Sequence, residues 1–297
     1  RTEFPAVKMI ENSGNVGFGA ANNQGIDLAS RELVLFLNSD CYASPGAVGD
    51  LATLFEDERV VAAGGELINP DGTLQESVAG RLTLGAVFLE QTYLEQLAGS
   101  RRYWRTGSIR SPSRGRPNTH RQERDATEPP PQFAPLTGPP PAPRFASDQG
   151  EAIEVEQVMG ACLMIRPVVR FDERFFLYCE DTDLCLRLRQ HGRILYAPGA
   201  IFTHELGSSS PGPSRWLGVA RYNRGKELYF AIHHGPAACA VCWLLDRLGA
   251  FLRLVVYVLL VSFTLGRKPN FTRMPLLWLR VLTASPRGPD RPPRKAG

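Results

Sequence analysis

A chain of 297 residues that is 43% hydrophobic can bury one large core and carry an appendage. Its net charge of +4 is too mild to argue for nucleic acid, and the basic residues gather in two Pro-rich stretches outside the core. Six cysteines (Cys41, Cys162, Cys179, Cys185, Cys239, Cys242) in a chain this long exclude a disulfide framework. The Cys239–Cys242 spacing sits in an apolar run without a second pair or histidines, which predicts small buried side chains rather than a metal site.

Residues 6–10, "AVKMI", predict a short strand leading into the glycine-rich loop "ENSGNVGFGAANNQG" (11–25). The stretch 19–30 has helical spacing, with Ala20, Ala21, Leu28 and Ala29 as its small apolar positions. "ELVLFLNSD" (32–40) reads as a buried parallel strand ending in a carboxylate. "SPGAVGDLATLFED" (44–57) predicts a helix with Val48, Leu51 and Leu54/Phe55 on one side, and "VVAAGG" (60–65) another strand. Strands alternating with helices imply an α/β fold with a mostly parallel sheet.

Residues 101–150 break the pattern. They hold ten prolines and nine arginines against four acids, with few aliphatic side chains, so a disordered insertion is expected and an RNA-binding arm is the minor alternative. Order returns in "IEVEQVMGACLMIRP" (153–167), a strand pair bent at Gly160. In "TDLCLRLRQHG" (182–192) a helix is expected, with Thr182 as cap, Asp183 in the first turn, Leu184 and Leu188 on one face, and Gly192 as stop. "RILYAP" and "AIFTH" predict two short strands. The apolar stretch 237–265 has a longest uncharged run of only 12 residues (254–265), short of the ~20 a spanning helix needs. Asp246 and Arg253 form a polar stripe on it. Such a helix suits a membrane interface or packing with the stripe outward, a tilted span with snorkelling arginines being the other possibility. The basic tail 287–295 would suit an anionic lipid surface.

Four segments carry candidate chemistry. The glycine loop lacks the lysine of a Walker loop, and Asn22 stands in the third place of a dinucleotide fingerprint. Alone it is an ordinary strand-to-helix turn. In "LNSD", Asp40 ends a buried strand, where a carboxylate is costly without a metal or partner, although a helix-capping turn explains it equally well. "YCEDTD" (178–183) sets three carboxylates at a helix N-terminus, whose dipole favours ionised acids, and an ionised aspartate there could serve as general base. Charge decoration is the bland explanation, which the apolar "RFFLY" before it opposes. In "THELGSSS" (203–210), His204 ends a strand before a Gly/Ser turn.

In this order, "NVGFGAANNQGI", "LVLFLNSD", "GGELINPDGTLQES", "GACLMIR", "FDERFFLYCEDTDLCLRLRQHG" and "HELGSSS" resemble the family 2 glycosyltransferases of the rhamnosyltransferase-like type. The resemblance spans about residues 7–210 apart from the insertion. It implies a GT-A fold, a Rossmann-like, mostly parallel sheet, over residues 1–235, while the apolar helix and basic tail over 236–297 are expected from their own pattern to be membrane-associated. It also implies a nucleotide-diphosphate-sugar donor and inversion at the anomeric carbon. On its motifs, Asp181 matches the catalytic base, with Glu180 beside it shaping the acceptor site. Asn38 and Asp40 match a DxD-like motif, with Asp40 and His204 as ligands of a divalent cation (Mg2+ or Mn2+). Asn15, Gly17 and Asn23 match the loop lying against the donor. The acceptor implied is a cell-envelope glycan or a lipid-linked acceptor at the cytoplasmic face of the membrane, with dTDP-rhamnose as default donor and no nucleic acid partner. The QxxRW signature of processive synthases is absent, Gly212 standing in "GPSRW", which favours single addition. Family members begin with a further β-α unit carrying nucleobase contacts, so the chain is read as N-terminally truncated. A non-catalytic remnant or sugar-nucleotide-binding module is the alternative.

Overall fold

A computed structural model describes residues 5–94, 151–205 and 215–284. The expected insertion 101–150, the Gly/Ser turn after Glu205, Gly212 and the basic tail 287–295 lie outside the described residues.

A six-stranded mixed sheet forms the centre. Its strands are β1 (Val34–Leu37), β2 (Cys41–Ala43), β3 (Val60–Ile68), β5 (Ile153–Glu154), β7 (Cys162–Ile165) and β8 (Arg193–His204), ordered β1-β7-β3-β8-β2 with β5 also on β8. Two further strands, β4 (Val78–Ala79) and β6 (Gln157–Val158), pair antiparallel beside it. β3 and β8 are parallel, and β7 runs antiparallel between β1 and β3, so β1, β3 and β8 share one direction. The strand expected in 32–40 is therefore shorter than its apolar run, and its bonded neighbour is antiparallel. "RILYAP" and "AIFTH" join into the single strand β8, which shifts register against β3 between Gly65 and Glu66.

Side-chain alternation along these strands builds a core on each face. Leu163, Ile165, Ile194 and Tyr196 pack under α1 (Phe18–Leu28) and α4 (Glu180–Leu188), where Ile26, Leu184 and Leu188 meet them. Cys162, Met164, Leu195 and Phe202 face α2 (Ala47–Thr53), whose Ala47 and Leu51 are buried with Phe55 just beyond it. Val48, expected on that face, is exposed instead. In α1 the buried positions are Gly19, Asn23 and Ile26, while Leu28 is exposed, so the inward face is rotated from the one its alanines predict.

Residues 6–10 are not a strand. Val7, Met9 and Ile10 stand exposed, because no described strand lies beside them to satisfy their backbone.

A helical layer completes the molecule: α3 (Leu84–Thr92), α5 (Arg215–His233), α6 (Gly235–Phe263), α7 (Pro269–Thr272) and α8 (Met274–Thr283). Here the polar stripe of α6 points inward, opposite to expectation. Asp246 accepts hydrogen bonds from Lys226 Nζ (2.6 Å) and Gln91 Nε2 (3.0 Å). Arg253 donates to the Gln91 and Glu90 carbonyls (both 3.1 Å) and lies over the Tyr93 and Trp278 rings. Partners on α3, α5 and α8 outweigh the desolvation of this stripe, which turns Leu244, Leu248, Phe251, Val255 and Leu259 outward. With the charges of Asp246, Arg247 and Arg253 interrupting α6, no helix among the described residues is long and apolar enough to cross a membrane.

Candidate active site

The acidic segment owes its position to an unusual backbone. Tyr178 (φ 72°) and Cys179 (φ 65°) are consecutive non-glycine residues in the left-handed region, a conformation that costs about 1–3 kcal/mol per residue unless its surroundings hold it. The holder is α5: a Cβ on Gly225 would stand 2.6 Å from the Tyr178 carbonyl oxygen, so only glycine lets α5 close on this kink. The kink reverses the chain into α4 and sets Glu180 and Asp181 in its first turn. Cys179 is thus the N-cap, and Thr182, expected as the cap, lies inside the first turn. Asp183 is 1% exposed and committed to structure, pairing with Arg187 Nη2 (2.5 Å) and with His233 Nε2 on α5 (2.7 Å).

Asp181 Oδ2 accepts the Gly160 N–H (3.0 Å) and Oδ1 accepts the Thr182 N–H (2.8 Å). Glu180 is 6% exposed, and its buried Oε2 has no hydrogen-bond partner. Burial pushes the Glu180 carboxyl up to about 8, helped by the neighbouring Asp181 charge. Burial also raises Asp181, against the backbone donors at Gly160 and Thr182 that favour its anion. Burial thus raises both carboxyls, but only Asp181 has backbone N–H donors that favour its anion, while Glu180 Oε2 has none. Beside them opens a cavity of about 340 Å3 lined by Gln157, Met159, Tyr178, Glu180, Asp181 and Tyr222.

Asp40 and His204 come together at the same end of the sheet. Cys41 pairs with His204 in register, and His204 Nε2 lies 3.4 Å from Asp40 Oδ1. Gln75 fixes the imidazole. Its Nε2 donates to the His204 carbonyl (2.5 Å) and to Asn69 Oδ1 (2.8 Å), so its Oε1, 3.0 Å from His204 Nδ1, accepts the ring N–H. In the neutral imidazole this leaves the Nε2 lone pair facing a carboxylate oxygen. A histidine oriented through its second nitrogen beside a carboxylate fits a divalent ion. No group of three or more His, Cys, Asp or Glu able to hold a metal occurs among the described residues. The Asn38 N–H bonds the Ala161 carbonyl (3.1 Å), next to the Gly160 N–H that holds Asp181. The turn at 160–161 thus ties the Asp40 corner to the start of α4, although Asp40 and His204 do not line the cavity beside Asp181.

The glycine loop serves packing more than ligand contact. Gly17 (φ 91°) has no room for a Cβ, which would stand 2.7 Å from the Phe176 carbonyl, and the same carbonyl takes the Phe18 N–H (2.9 Å). Asn15 accepts the Gly17 N–H (3.0 Å) to close the turn. Asn23 is no donor contact: its amide is buried and bridges the Phe171 N–H and carbonyl (both 3.0 Å). The loop therefore braces the 171–176 segment that carries Glu180 and Asp181. Gln75 and the Tyr178–Tyr222 pair went unread in the sequence. The "NPDGT" turn that folds Gln75 back along β3 was the available signal.

Residues 1–113 match the model of the family described as glycosyl transferase family 2. The chain is 25% identical over 250 residues to the N-acetylglucosaminyl-diphospho-decaprenol L-rhamnosyltransferase of Mycobacterium tuberculosis, in both strain CDC 1551 and strain H37Rv, covering 78% of this chain and 69% of the relative. Both likenesses support a family 2 glycosyltransferase of the rhamnosyltransferase-like type. That family implies a GT-A fold, and the α/β sheet flanked by helices agrees with it. The matched segment contains Asn15, Gly17, Asn23, Asn38 and Asp40, while Glu180, Asp181 and His204 lie beyond it.

Proposed function

We propose that the chain is an inverting, single-addition glycosyltransferase that moves a sugar from a nucleotide-diphosphate-sugar to a hydroxyl of a cell-envelope glycan or lipid-linked acceptor. The observation that carries this is Asp181, an acid with two backbone N–H donors in the wall of a cavity, beside a second acid that keeps its proton. Asp181 takes the proton from the acceptor hydroxyl as that oxygen forms its bond to the anomeric carbon. The bond from that carbon to the diphosphate oxygen breaks on the opposite face, and its electron pair leaves with the nucleoside diphosphate. Protonated Glu180 adds no second negative charge and can donate a hydrogen bond to the acceptor. Asn38 and the Asn15–Gly17 turn are assigned to the donor side. Asp40 and His204 would hold a Mg2+ or Mn2+ ion, which when bound supplies counter-charge for the diphosphate. The relative's name supports an L-rhamnosyl donor such as dTDP-rhamnose and a lipid-linked acceptor.

The outer face of the helical layer supports a setting at the cytoplasmic surface of a membrane. Val241, Leu244, Leu248, Phe251, Val255, Val258 and Leu259 recur every three or four residues as one exposed apolar stripe. Exposed Arg267, Lys268, Arg273 and Arg280 flank it, and from α6 to α8 the only acid is the buried Asp246. Such a surface fits the interface of an anionic bilayer.

The test is transfer by the full chain against its Asp181→Asn variant, with nucleotide-sugar binding followed by calorimetry. Loss of transfer with donor binding retained is expected. Donor binding without transfer by the unsubstituted chain would leave only a sugar-nucleotide-binding module.

A further inference from the structure

A second cavity, of about 410 Å3, lies within the helical layer among α3, α5, α6 and α8. Glu90, Asn223, Trp278, Tyr178 and Tyr222 contribute to its wall, and the two tyrosines also line the cavity beside Asp181. Their rings meet edge to face with centroids 6.3 Å apart, so this pair is the partition between the two chambers. Two buried polar atoms on the cavity's lining residues have no hydrogen-bond partner: Glu90 Oε2, an acceptor, and Trp278 Nε1, a donor. Lys226 Nζ stands 3.6 Å from that Glu90 oxygen, which neutralises it without a hydrogen bond. Buried groups left this way are costly, and an acceptor together with a donor is the complement of hydroxyl groups. The aromatic lining suits the apolar C–H face of a sugar ring. The lining sets two acids, Glu90 and Asp246, against two arginines, Arg215 and Arg253, and Arg253 already donates to Gln91 and Glu90, so a neutral ring fits better than an anion.

We propose that this cavity is an acceptor subsite for one neutral sugar ring, next to the ring whose hydroxyl attacks. It rests on the acceptor being a glycan or glycan-bearing lipid, as proposed above. Glu90 and Trp278 hold the hydroxyls, and the Tyr178–Tyr222 partition lies between the two rings. The acceptor then enters from the helical layer, whose outer face is the apolar stripe.

The test is nuclear magnetic resonance of the full chain labelled with 15N-tryptophan, the Trp278 indole signal being assigned by its loss in Trp278→Phe. Methyl N-acetyl-β-D-glucosaminide and methyl α-L-rhamnoside are titrated in, with inorganic pyrophosphate as the anionic probe. The Trp278 signal is expected to move with a glycoside and not with pyrophosphate, and Glu90→Gln to weaken that binding about 3- to 10-fold, the worth of one hydrogen bond. A Trp278 signal that ignores both glycosides, or that answers only pyrophosphate, overturns the subsite. Transfer activity separates this outcome from the wider reading: a chain that transfers sugar with an unresponsive Trp278 loses the subsite alone. A responsive Trp278 in a chain without transfer keeps the ring site and loses the catalytic reading.

Discussion

Asp181 and Glu180 are adjacent in sequence yet differ in what touches them. The backbone donors at Gly160 and Thr182 favour the anion of one, while burial without a partner at Oε2 favours the protonated form of the other. Replacing Asp181 by Asn removes the base while preserving shape and one of its two backbone hydrogen bonds, since the amide nitrogen cannot accept the other. Transfer should fall by about 10²- to 10⁴-fold, far more than the loss of that one hydrogen bond changes stability, as measured by product formation and thermal unfolding. Glu180 gives a test in stability. Its folded pKa of about 8 stands above its ordinary value of 4.5, so the folded state binds the proton more tightly than the unfolded chain. That contribution is complete below the unfolded pKa and is lost as pH rises through the folded one. The melting temperature should therefore decline from pH 5 to pH 8 in the native chain, and Glu180→Gln should flatten the decline. A variant with the same slope as the native chain would contradict the assignment.

At the scale of elements, the site depends on how closely α5 approaches the start of α4. In an exposed helix, Gly225→Ala would stabilise by about 1 kcal/mol. Here the new Cβ meets the Tyr178 carbonyl at 2.6 Å, so the sign reverses. A loss of about 2 kcal/mol or more in urea unfolding is expected, with transfer impaired because the kink carries Glu180 and Asp181. The sequence made α4, β3 and β7 readable because their apolar positions repeat at the period of each element. Its motif order singled out Asp40, Asp181 and His204, of which the fold brings Asp40 and His204 within 3.4 Å and sets Asp181 in a cavity wall. What it hid was set by tertiary partners. Residues 6–10 look like a strand in isolation, but no described strand lies beside them. Asn23 looks like a ligand contact, but Phe171 occupies both ends of its amide. The glycines of the loop suggest a phosphate cradle, yet Gly17 is required by the Phe176 carbonyl.

For the whole molecule, the inversion of α6 is the decisive feature. A helix whose charged stripe is buried and whose apolar stripe faces out is stabilised by its internal partners and by whatever covers the outside. Substituting Leu248, Phe251 and Leu259 by serine should lower binding to anionic phospholipid vesicles by about tenfold or more, since each buried apolar side chain of this size is worth about 1.5–3 kcal/mol. Transfer to a short soluble acceptor should persist, as measured in the same preparations by vesicle sedimentation and product formation. Unchanged sedimentation would assign the apolar face to some other partner.

The central claim, direct displacement at the anomeric carbon with Asp181 as base, is tested most directly by proton magnetic resonance of the product. The full chain, a nucleotide-diphosphate-sugar of known anomeric configuration, a lipid-linked or glycan acceptor and Mg2+ or Mn2+ would be combined, and the new glycosidic linkage read from its anomeric coupling. The account predicts inverted configuration, with no product from Asp181→Asn. A linkage of retained configuration, or normal product from that variant, would contradict it.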